Sequence, residues 1–575
     1  MTSTDTIEIT IPNYGAVRGI VDHTRQIATF RNIPYAVVPE RWRAAVKPEP
    51  WTGVRDATNQ GPVCPHLPSG FVLGLLAPKN IPSYGTSKHK YGLDHDERDC
   101  LNLNIFVPLS SLKGEAEPVP VMTWVHGGSN KNGSNAEPLY NASNFVRRSI
   151  ELNQPVIVVV INYRVNIFGF FASKELEQDM EEHSASNPSL SPYEKSIGNW
   201  GLVDQKLAFE WVRENITAFG GNARNVTAFG ESAGAIGIHF HMLIPSHHGL
   251  FDHAILQSGT VFTLPPRLLH KEGQAFFDGL LQKLEIPLDL DGKEKLKRLR
   301  AIPAEDLCIA ASGVNQSQSS YTPFYDGSKV IPSTVPIQAL ARDPAAYDLN
   351  LKSIMIGGNK DEGTAFAILF GKLNMQTWPF LYKALVPHPE FNPLFETAYG
   401  VPATDEDVYR AVSTFIGDMS FHHGNQVVLE TLKEAKKIRG EEGLKVTAYR
   451  FDVGIEALEK AAPGIGALHA GELPILFLPP HVDDCLTDKE VALGKEMQKI
   501  WIEFANQQEL LINTANGNRR AIVIEDDEAI VFGADHQIQI GKSLRLSEGA
   551  QGYHGKRSEA IEQLVKAALV NGAVN

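Results

Sequence analysis

The sequence lacks the features that mark membrane-spanning, nucleic-acid-binding and repeat proteins. No apolar stretch reaches the roughly 20 residues that a membrane-spanning helix needs. Basic residues are outnumbered, since 53 Lys and Arg face 67 Asp and Glu and leave a formal net charge of −14. This charge is spread along the chain, which argues against nucleic acid and anionic membrane surfaces as partners. Internal repeats, heptads and long low-complexity linkers are also missing, so we expect a single domain over residues 1–575.

The first residues also lack the pattern of a secretory signal. Residues 1–6 carry no basic segment, and Ile7-Glu8-Ile9-Thr10-Ile11 alternates like a strand instead of forming a long apolar run. This pattern favours a cytoplasmic protein.

What the sequence does contain is a large apolar fraction, 43% of all residues, arranged in short runs. The runs at 120–125, 156–161, 254–256 and 353–356 are continuously hydrophobic, as is typical of central strands covered on both faces. Segments with helical spacing alternate with them. The pattern predicts an α/β fold with a mostly parallel sheet and helices on both faces. Catalytic loops should then gather at the carboxyl ends of the strands.

The clearest chemical motif is Gly230-Glu231-Ser232-Ala233-Gly234, which follows the apolar run 225–229. A strand that enters a G-x-S-x-G turn holds the serine Oγ above the sheet, where it can act as a nucleophile. The helix that follows offers its first free N–H group, on Ala233, beside the point of attack.

Three further loops carry candidate groups. His126-Gly127-Gly128-Ser129 follows a strand, and its glycines allow backbone N–H groups to face an oxyanion. Two acids, Asp361 and Glu362, follow another strand, and His469 lies in a later loop. The residues Ser232, Glu362 and His469 are 130 and 107 positions apart, so a triad of these residues must be assembled by folding. On spacing alone, Asp361 remains a rival to Glu362 as the acid.

Stretches along nearly the whole chain resemble the type-B carboxylesterases, the α/β-hydrolase family that includes cholinesterases, fungal lipases and the non-catalytic neuroligins. The resemblance is carried by the Ser-acid-His order and by segments at 30–36, 99–104, 161–165, 199–205 and 256–260. It implies an α/β-hydrolase fold with inserted lid, rim and cap segments at about 65–99, 176–198 and 265–350. We expect these insertions to carry the substrate specificity.

The resemblance also implies roles for individual residues. Ser232 would be the nucleophile, Glu362 the acid and His469 the general base. The backbone N–H groups of Gly128, Ser129 and Ala233 would bind the oxyanion. Glu231 and Ser258 would support the triad. Cys64 and Cys100 occupy the positions of a family disulfide. Ser129 departs from the family, which commonly has a third glycine there. The disulfide is disfavoured in a reducing cytoplasm.

These observations lead to a ranked set of functions. The first is a serine esterase that hydrolyses small-molecule carboxylic esters through an acyl-enzyme, without a cofactor or a metal. The second is a biosynthetic acyltransferase or lactone-forming enzyme that uses the same triad with an alcohol as acceptor. The third is a non-catalytic binding protein of the neuroligin type. The sequence does not identify the ester, the acyl acceptor or the oligomeric state.

Overall fold

The computed structural model describes residues 5–67, 94–114, 117–314, 321–327, 329–386, 388–440, 443–480, 485–513, 519–521, 528–542 and 563–564. Most of the predicted lid insertion at 65–99, including its apolar residues 70–76, lies outside the described residues.

The strands are spread over almost the full length of the chain. In chain order they are β1 Thr6–Ile11, β2 Gly15–Asp22, β3 Ile27–Pro34, β4 Val54–Asp56, β5 Asn102–Pro108, β6 Val119–Val125, β7 Ile157–Ile161, β8 Gly221–Glu231, β9 His253–Gln257, β10 Arg267–Leu268, β11 Phe324–Tyr325, β12 Ser353–Asn359, β13 Lys445–Phe451, β14 Leu511–Asn513, β15 Arg519–Ala521, β16 Glu528–Phe532 and β17 Ile538–Lys542.

Within the described residues, thirteen of these strands form one sheet in the order β1-β2-β3-β5-β7-β6-β8-β9-β12-β13-β16-β17, with β4 paired to β2. The pairs from β7 through β16 are parallel. The strands from β1 to β7 pair antiparallel with their neighbours, apart from the parallel β2–β4 pair, and β17 adds an antiparallel edge. The predicted mostly parallel sheet is therefore confirmed.

Helices connect the parallel strands and cover both faces of the sheet. They are α1 Ser143–Glu151, α2 Asn166–Gly169, α3 Lys174–Ser186, α4 Trp200–Asn215, α5 Ala233–Leu243, α6 Gln274–Lys283, α7 Gly292–Ala301, α8 Ala304–Ser312, α9 Ile337–Leu340, α10 Thr364–Ala367, α11 Trp378–Leu385, α12 Asn392–Tyr399, α13 Asp405–Gly417, α14 His423–Arg439, α15 Glu456–Ala461, α16 Leu473–Phe477 and α17 Asp488–Ala505. A π-helical turn, Asp418–His422, joins α13 to α14.

Strand β6 shows why the central runs are continuously apolar. Val121 and Val125 belong to the hydrophobic cluster on one face of the sheet, whereas Met122 and Trp124 belong to the cluster on the other. All four side chains are fully buried. Successive side chains of a strand point to opposite faces, so a strand with helices on both sides needs an apolar residue at nearly every position.

The predicted rim insertion at 176–198 begins within helix α3. Its Leu176 and Met180 are buried in the core, while Asp179 makes ion pairs with Arg43 at 2.6 Å and Arg300 at 2.7 Å. Arg300 lies in helix α7, within the predicted cap insertion at 265–350. The polar residues of this segment therefore bind the cap instead of only facing solvent.

Cys64, Cys100 and Cys308 form no disulfide bond with any described residue. Cys64 and Cys100 are buried neighbours, and the hydrogen bond between their side chains, followed by burial, raises the pKa of the Cys100 thiol. Among the helices of the described residues, none has both the length and the apolar character needed to cross a bilayer.

Candidate active site

Ser232 occupies a sharp turn between strand β8 and helix α5. Its backbone has φ 53° and ψ −123°, a conformation that L-residues rarely adopt, and its N–H donates to the carbonyl of Gln257 at 2.8 Å. A Cβ at Gly234 would collide with the carbonyl oxygen of Val125, which explains the glycine at the end of the motif. Strain of this kind is common at functional sites. The turn brings Ser232 to the carboxyl end of the sheet, as the sequence predicts.

Glu362 and His469 meet although they come from separate loops. The Nδ1 nitrogen of His469 lies 2.6 Å from Glu362 Oε2, and Glu362 Oε1 accepts the N–H of Asn359 at 2.8 Å. Glu362 is fully buried and His469 is 7% exposed. Burial raises the pKa of Glu362, but the charge of His469 and its hydrogen bond outweigh burial and lower that pKa overall. Glu362 is therefore placed to orient the imidazole as a carboxylate.

The other imidazole nitrogen faces a second carboxylate. His469 Nε2 lies 3.0 Å from Glu231 Oε1, and no hydrogen bond among the described residues joins His469 to the Ser232 hydroxyl. Burial lowers the pKa of His469, but Glu231 and Glu362 outweigh it and raise the pKa to about 9. Burial raises the pKa of Glu231 to about 8 despite the opposing charge of His469. Glu231 Oε1 makes no hydrogen bond within the described part of the chain, so Glu231 acts on His469 through its charge.

Asp361, the alternative candidate for the triad acid, bonds to the loop before His469 and not to the imidazole. Its Oδ2 accepts the N–H of Ala467 at 3.0 Å, and its own N–H donates to the carbonyl of Ala467 at 2.9 Å. No hydrogen bond or ion pair among the described residues joins Asp361 to His469. Asp361 thus ties together the two loops that present Glu362 and His469.

The oxyanion loop consists of Gly128, Ser129 and Asn130, which have φ angles of 107°, 57° and 54°. The Lys131 N–H closes the turn on the Gly128 carbonyl at 2.9 Å. A Cβ at the preceding Gly127 would lie only 3.1 Å from the Cβ of Ser232, so the loop runs directly beside the nucleophile.

The candidate oxyanion donors are available for a ligand. In the described part of the chain, the N–H groups of Gly128, Ser129 and Ala233 donate no hydrogen bond to another protein atom. Ala233 begins helix α5, where N–H groups of the first turn have no partner within the helix. The Ser129 side chain is exposed.

Aromatic rings and a buried serine complete the surroundings of the triad. The rings of Phe421 and Phe366 lie 4.4 and 5.1 Å from the His469 ring, and Phe366 is partly exposed. Ser258 is buried, with φ 53°, and its hydroxyl contributes to the low pKa of Glu362. The two phenylalanine rings cover part of the imidazole, which is only 7% exposed.

Sequence reasoning missed Glu472 and its amide partners. The Glu472 carboxylate accepts hydrogen bonds from Gln257 Nε2 at 3.0 Å and from Asn359 Nδ2 at 2.6 Å. Burial raises the pKa of Glu472, which is fully enclosed. Its position only three residues after His469 was the signal that could have identified it.

Sequence reasoning also missed His422 and Asp418, which lie behind Glu362. The spacing of four residues between them, which places two side chains on the same side of a helical turn, was the available signal.

Comparison with known proteins identifies the family to which the sequence is similar. The sequence model of the carboxylesterase family matches residues 5–519. The chain is similar to the para-nitrobenzyl esterase of Bacillus subtilis (strain 168), with 31% identity over 87% of this chain and 90% of the relative. It is also similar to the fumonisin B1 esterase of Sphingopyxis macrogoltabida, with 30% identity over 85% of this chain and 80% of the relative.

The fold has a solved counterpart. The structure of a PNB esterase superimposes with a TM-score of 0.68 and 29% sequence identity, covering 93% of this chain and 97% of that one. The α/β-hydrolase fold that the sequence implies is thereby confirmed.

Proposed function

Since the chain belongs to the carboxylesterase family and is a carboxylic ester hydrolase, we propose that Ser232, His469 and Glu362 form its catalytic triad. The observation that carries the proposal is the meeting of three distant loops: a strained serine at the end of β8 beside a buried His469–Glu362 pair. Nucleophile, base and orienting acid are the groups that acyl transfer through a serine requires.

Acylation begins when the Ser232 hydroxyl attacks the carbonyl carbon of the ester. His469 Nε2 accepts the hydroxyl proton, and Glu362 fixes the tautomer of the ring and stabilises the imidazolium. The developing oxyanion accepts hydrogen bonds from the N–H groups of Gly128, Ser129 and Ala233. Loss of one such donor typically costs about 3 kcal/mol of transition-state stabilisation. The imidazolium then returns the proton to the departing alcohol.

Deacylation repeats these steps with water as the nucleophile. His469 removes a proton from the water, the water oxygen attacks the acyl carbon, and Ser232 leaves as the free hydroxyl with the proton from His469. The products are the carboxylic acid and regenerated enzyme. Glu231 stays outside this sequence of proton transfers, and its effect is on the proton affinity of His469.

The test of the triad is the Ser232→Ala variant assayed with p-nitrophenyl butyrate and p-nitrobenzyl esters. We expect hydrolysis to fall by a factor of about 10⁶, as in other enzymes that lose a triad serine. Ser186→Ala, an exposed serine at the end of helix α3, is the matched control and should retain full activity. A fluorophosphonate probe should label the wild type and the control but not Ser232→Ala. Full hydrolysis by Ser232→Ala would refute the proposal.

The physiological substrate is a small-molecule ester whose identity the family does not fix. The relatives are named for different esters, among them fumonisin B1 and acylcarnitine. They are named as hydrolases and esterases, so the transfer of the acyl group to an alcohol is not favoured. Product analysis with added alcohol acceptors tests this point, because transfer would give a new ester in place of the free acid.

We also propose that the enzyme works in the cytoplasm. The buried neighbours Cys64 and Cys100 make the proposal testable, because a reducing compartment keeps such a pair as thiols. Fractionation of cells that express the tagged chain, together with thiol titration of the unfolded protein, tests this expectation. Recovery outside the cytoplasm with an oxidised pair would contradict it.

A further inference from the structure

A second histidine–carboxylate pair lies behind the catalytic acid. His422 Nδ1 is 3.1 Å from Asp418 Oδ1, and His422 Nε2 is 3.0 Å from the carbonyl oxygen of Asn359. A carbonyl oxygen can only accept, so Nε2 must carry a proton. A carboxylate also accepts, which places a second proton on Nδ1 and makes the ring an imidazolium. His422 and Asp418 are both buried.

This imidazolium is linked to Glu362 through a single residue. Asn359 accepts from His422 with its carbonyl oxygen and donates its own N–H to Glu362 Oε1 at 2.8 Å. The His422–Asp418 pair is thus linked to Glu362 through Oε1, whereas His469 contacts Oε2. The charged groups that face His422 are Asp418 on its own π-helical turn, and Asp361 and Glu362 on the loop after β12.

The positive charge of His422 affects how negative charge is distributed among the carboxyl groups around His469. Three buried carboxyl groups, those of Glu231, Glu362 and Glu472, surround His469, and each repels a negative charge on the others. Burial and these neighbours raise the pKa of Glu231 and of Glu472, whereas the pKa of Glu362 is lowered. His469 favours the ionised form of Glu362 by its charge and its hydrogen bond, whereas it acts on Glu231 by charge alone. His422 acts on Glu362 and appears among the causes of its low pKa.

We propose that His422, held by Asp418, is a positioning residue that keeps the negative charge of the active site on Glu362. The inference rests on the proposed role of Glu362 as the triad acid. His422 touches no reacting atom. It acts through Asn359 and through its positive charge, and so maintains the carboxylate that orients His469.

The test is the pH dependence of kcat/KM in the His422→Gln variant. Glutamine can still donate to the Asn359 carbonyl, but it carries no charge. Loss of a nearby cation makes proton binding by the Glu362–His469 pair more favourable, so the acid limb of the profile should move to higher pH. We expect a shift of roughly 0.5–1 pH unit, at the low end of the effect of an opposite charge at close range. A role in packing alone would lower the rate equally at all pH values and leave the limb in place.

His239→Gln is the matched control. His239 is also a buried histidine, but it bonds to the Tyr347 hydroxyl at 3.1 Å and accepts the Val261 N–H at 3.1 Å. Burial lowers the pKa of His239 to about 3, so this substitution removes no charge and should not move the limb. Should His422→Gln fail to fold, His422→Asn removes the same charge and should give the same shift.

Glu362→Gln separates the two proposals. One outcome is that Glu362→Gln is impaired while the acid limb of the kcat/KM profile stays in place in His422→Gln or His422→Asn. This outcome would overturn the inference about His422 and leave the triad proposal intact. Full activity of Glu362→Gln would instead refute the triad assignment, and with it the basis of this inference. The inference would also be overturned if the acid limb moved as far in His239→Gln as in His422→Gln. The shift would then not result from the loss of the positive charge.

Discussion

Glu231 directly precedes Ser232 in the chain, and its carboxylate lies 3.0 Å from Nε2 of His469, the nitrogen that accepts the Ser232 proton in the proposed mechanism. The imidazole is therefore held between Glu231 on one side and Glu362 on the other. A histidine with two carboxylates keeps its proton to higher pH than the reference value of about 6.5. The proposed role of His469 as general base needs the neutral ring, so Glu231 and Glu362 together should set the pH at which the enzyme becomes active.

The first prediction concerns this dependence. In the wild type, kcat/KM should rise with pH through an apparent pKa well above 6.5 and at most about 9, the value to which the carboxylates raise the pKa of His469. Glu231→Gln removes one of these carboxylates, so it should lower the pKa of His469 and move the acid limb downward by roughly 1–2 pH units. Initial rates with an activated ester between pH 5 and pH 10 measure the shift.

Glu231→Asp serves as the control for this substitution because it keeps a carboxylate near the ring. Its acid limb should stay closer to that of the wild type than the limb of Glu231→Gln. Identical downward shifts in both variants would show that side-chain length, and not charge, sets the profile.

The second prediction distinguishes the two adjacent acids. Glu362→Gln removes the carboxylate that orients His469, so kcat should fall by as much as ~10⁴, in line with the loss of the orienting acid in serine proteases. Asp361→Asn should cost less than about tenfold, because Asp361 contacts the loop at Ala467 and not the imidazole. Both variants should be compared on one substrate at one pH. A larger loss for Asp361→Asn would mean that the acid is assigned wrongly.

The sheet was predictable because burial on both faces leaves a direct trace in the sequence. Strand β7, Ile157–Ile161, consists entirely of apolar residues, and the structure buries all of them. The turn at Ser232 was predictable for a similar reason, since its glycines are required locally. Both features depend on residues that are neighbours in the chain.

The charge state of the site could not be predicted in this way. It depends on Glu231, on His422 and on the segment that carries His469 and Glu472, three parts of the chain that meet only when it folds. Sequence spacing does not say which nitrogen of His469 faces Glu231. Nor does it say that Glu362, among three buried carboxyl groups, has a lowered pKa because the charge and hydrogen bond of His469 outweigh burial.

The third prediction concerns the stability of the fold. Arg164 and Asp204 form an ion pair whose side chains are 1% and 0% exposed, with Arg164 Nε 2.7 Å from Asp204 Oδ2. Asp204→Asn would leave a buried guanidinium without its counter-charge, which typically costs about 3–5 kcal/mol. We expect a large drop in the thermal unfolding midpoint, measured by circular dichroism.

The surface pair of Arg147 and Glu151 gives the comparison for that measurement. Its side chains are 50% and 41% exposed, so solvent screens the interaction. Glu151→Gln should therefore change the free energy of unfolding by less than about 1 kcal/mol. Similar losses for both variants would contradict the assignment of Asp204 as the essential counter-charge.

The fourth prediction concerns Ser129, which stands in the oxyanion loop where the related family commonly has glycine. Its φ of 57° lies in the left-handed region, which costs an L-residue about 1–2 kcal/mol. Ser129→Gly removes this strain but adds freedom to the unfolded chain, worth roughly 0.5–1 kcal/mol. We expect a net stabilisation of about 0.5–1 kcal/mol, and kcat/KM close to the wild-type value because the backbone N–H remains.

Asn153→Gly is the matched control for Ser129→Gly, because Asn153 is also exposed, has a φ of 55°, and asparagine tolerates this conformation far better than serine. Its unfolding midpoint should hardly change. A Ser129→Gly enzyme that is more stable but loses activity would show that the exposed hydroxyl contacts the substrate. A variant that is both less stable and less active would contradict the strain argument, because the serine side chain would then hold the loop in place.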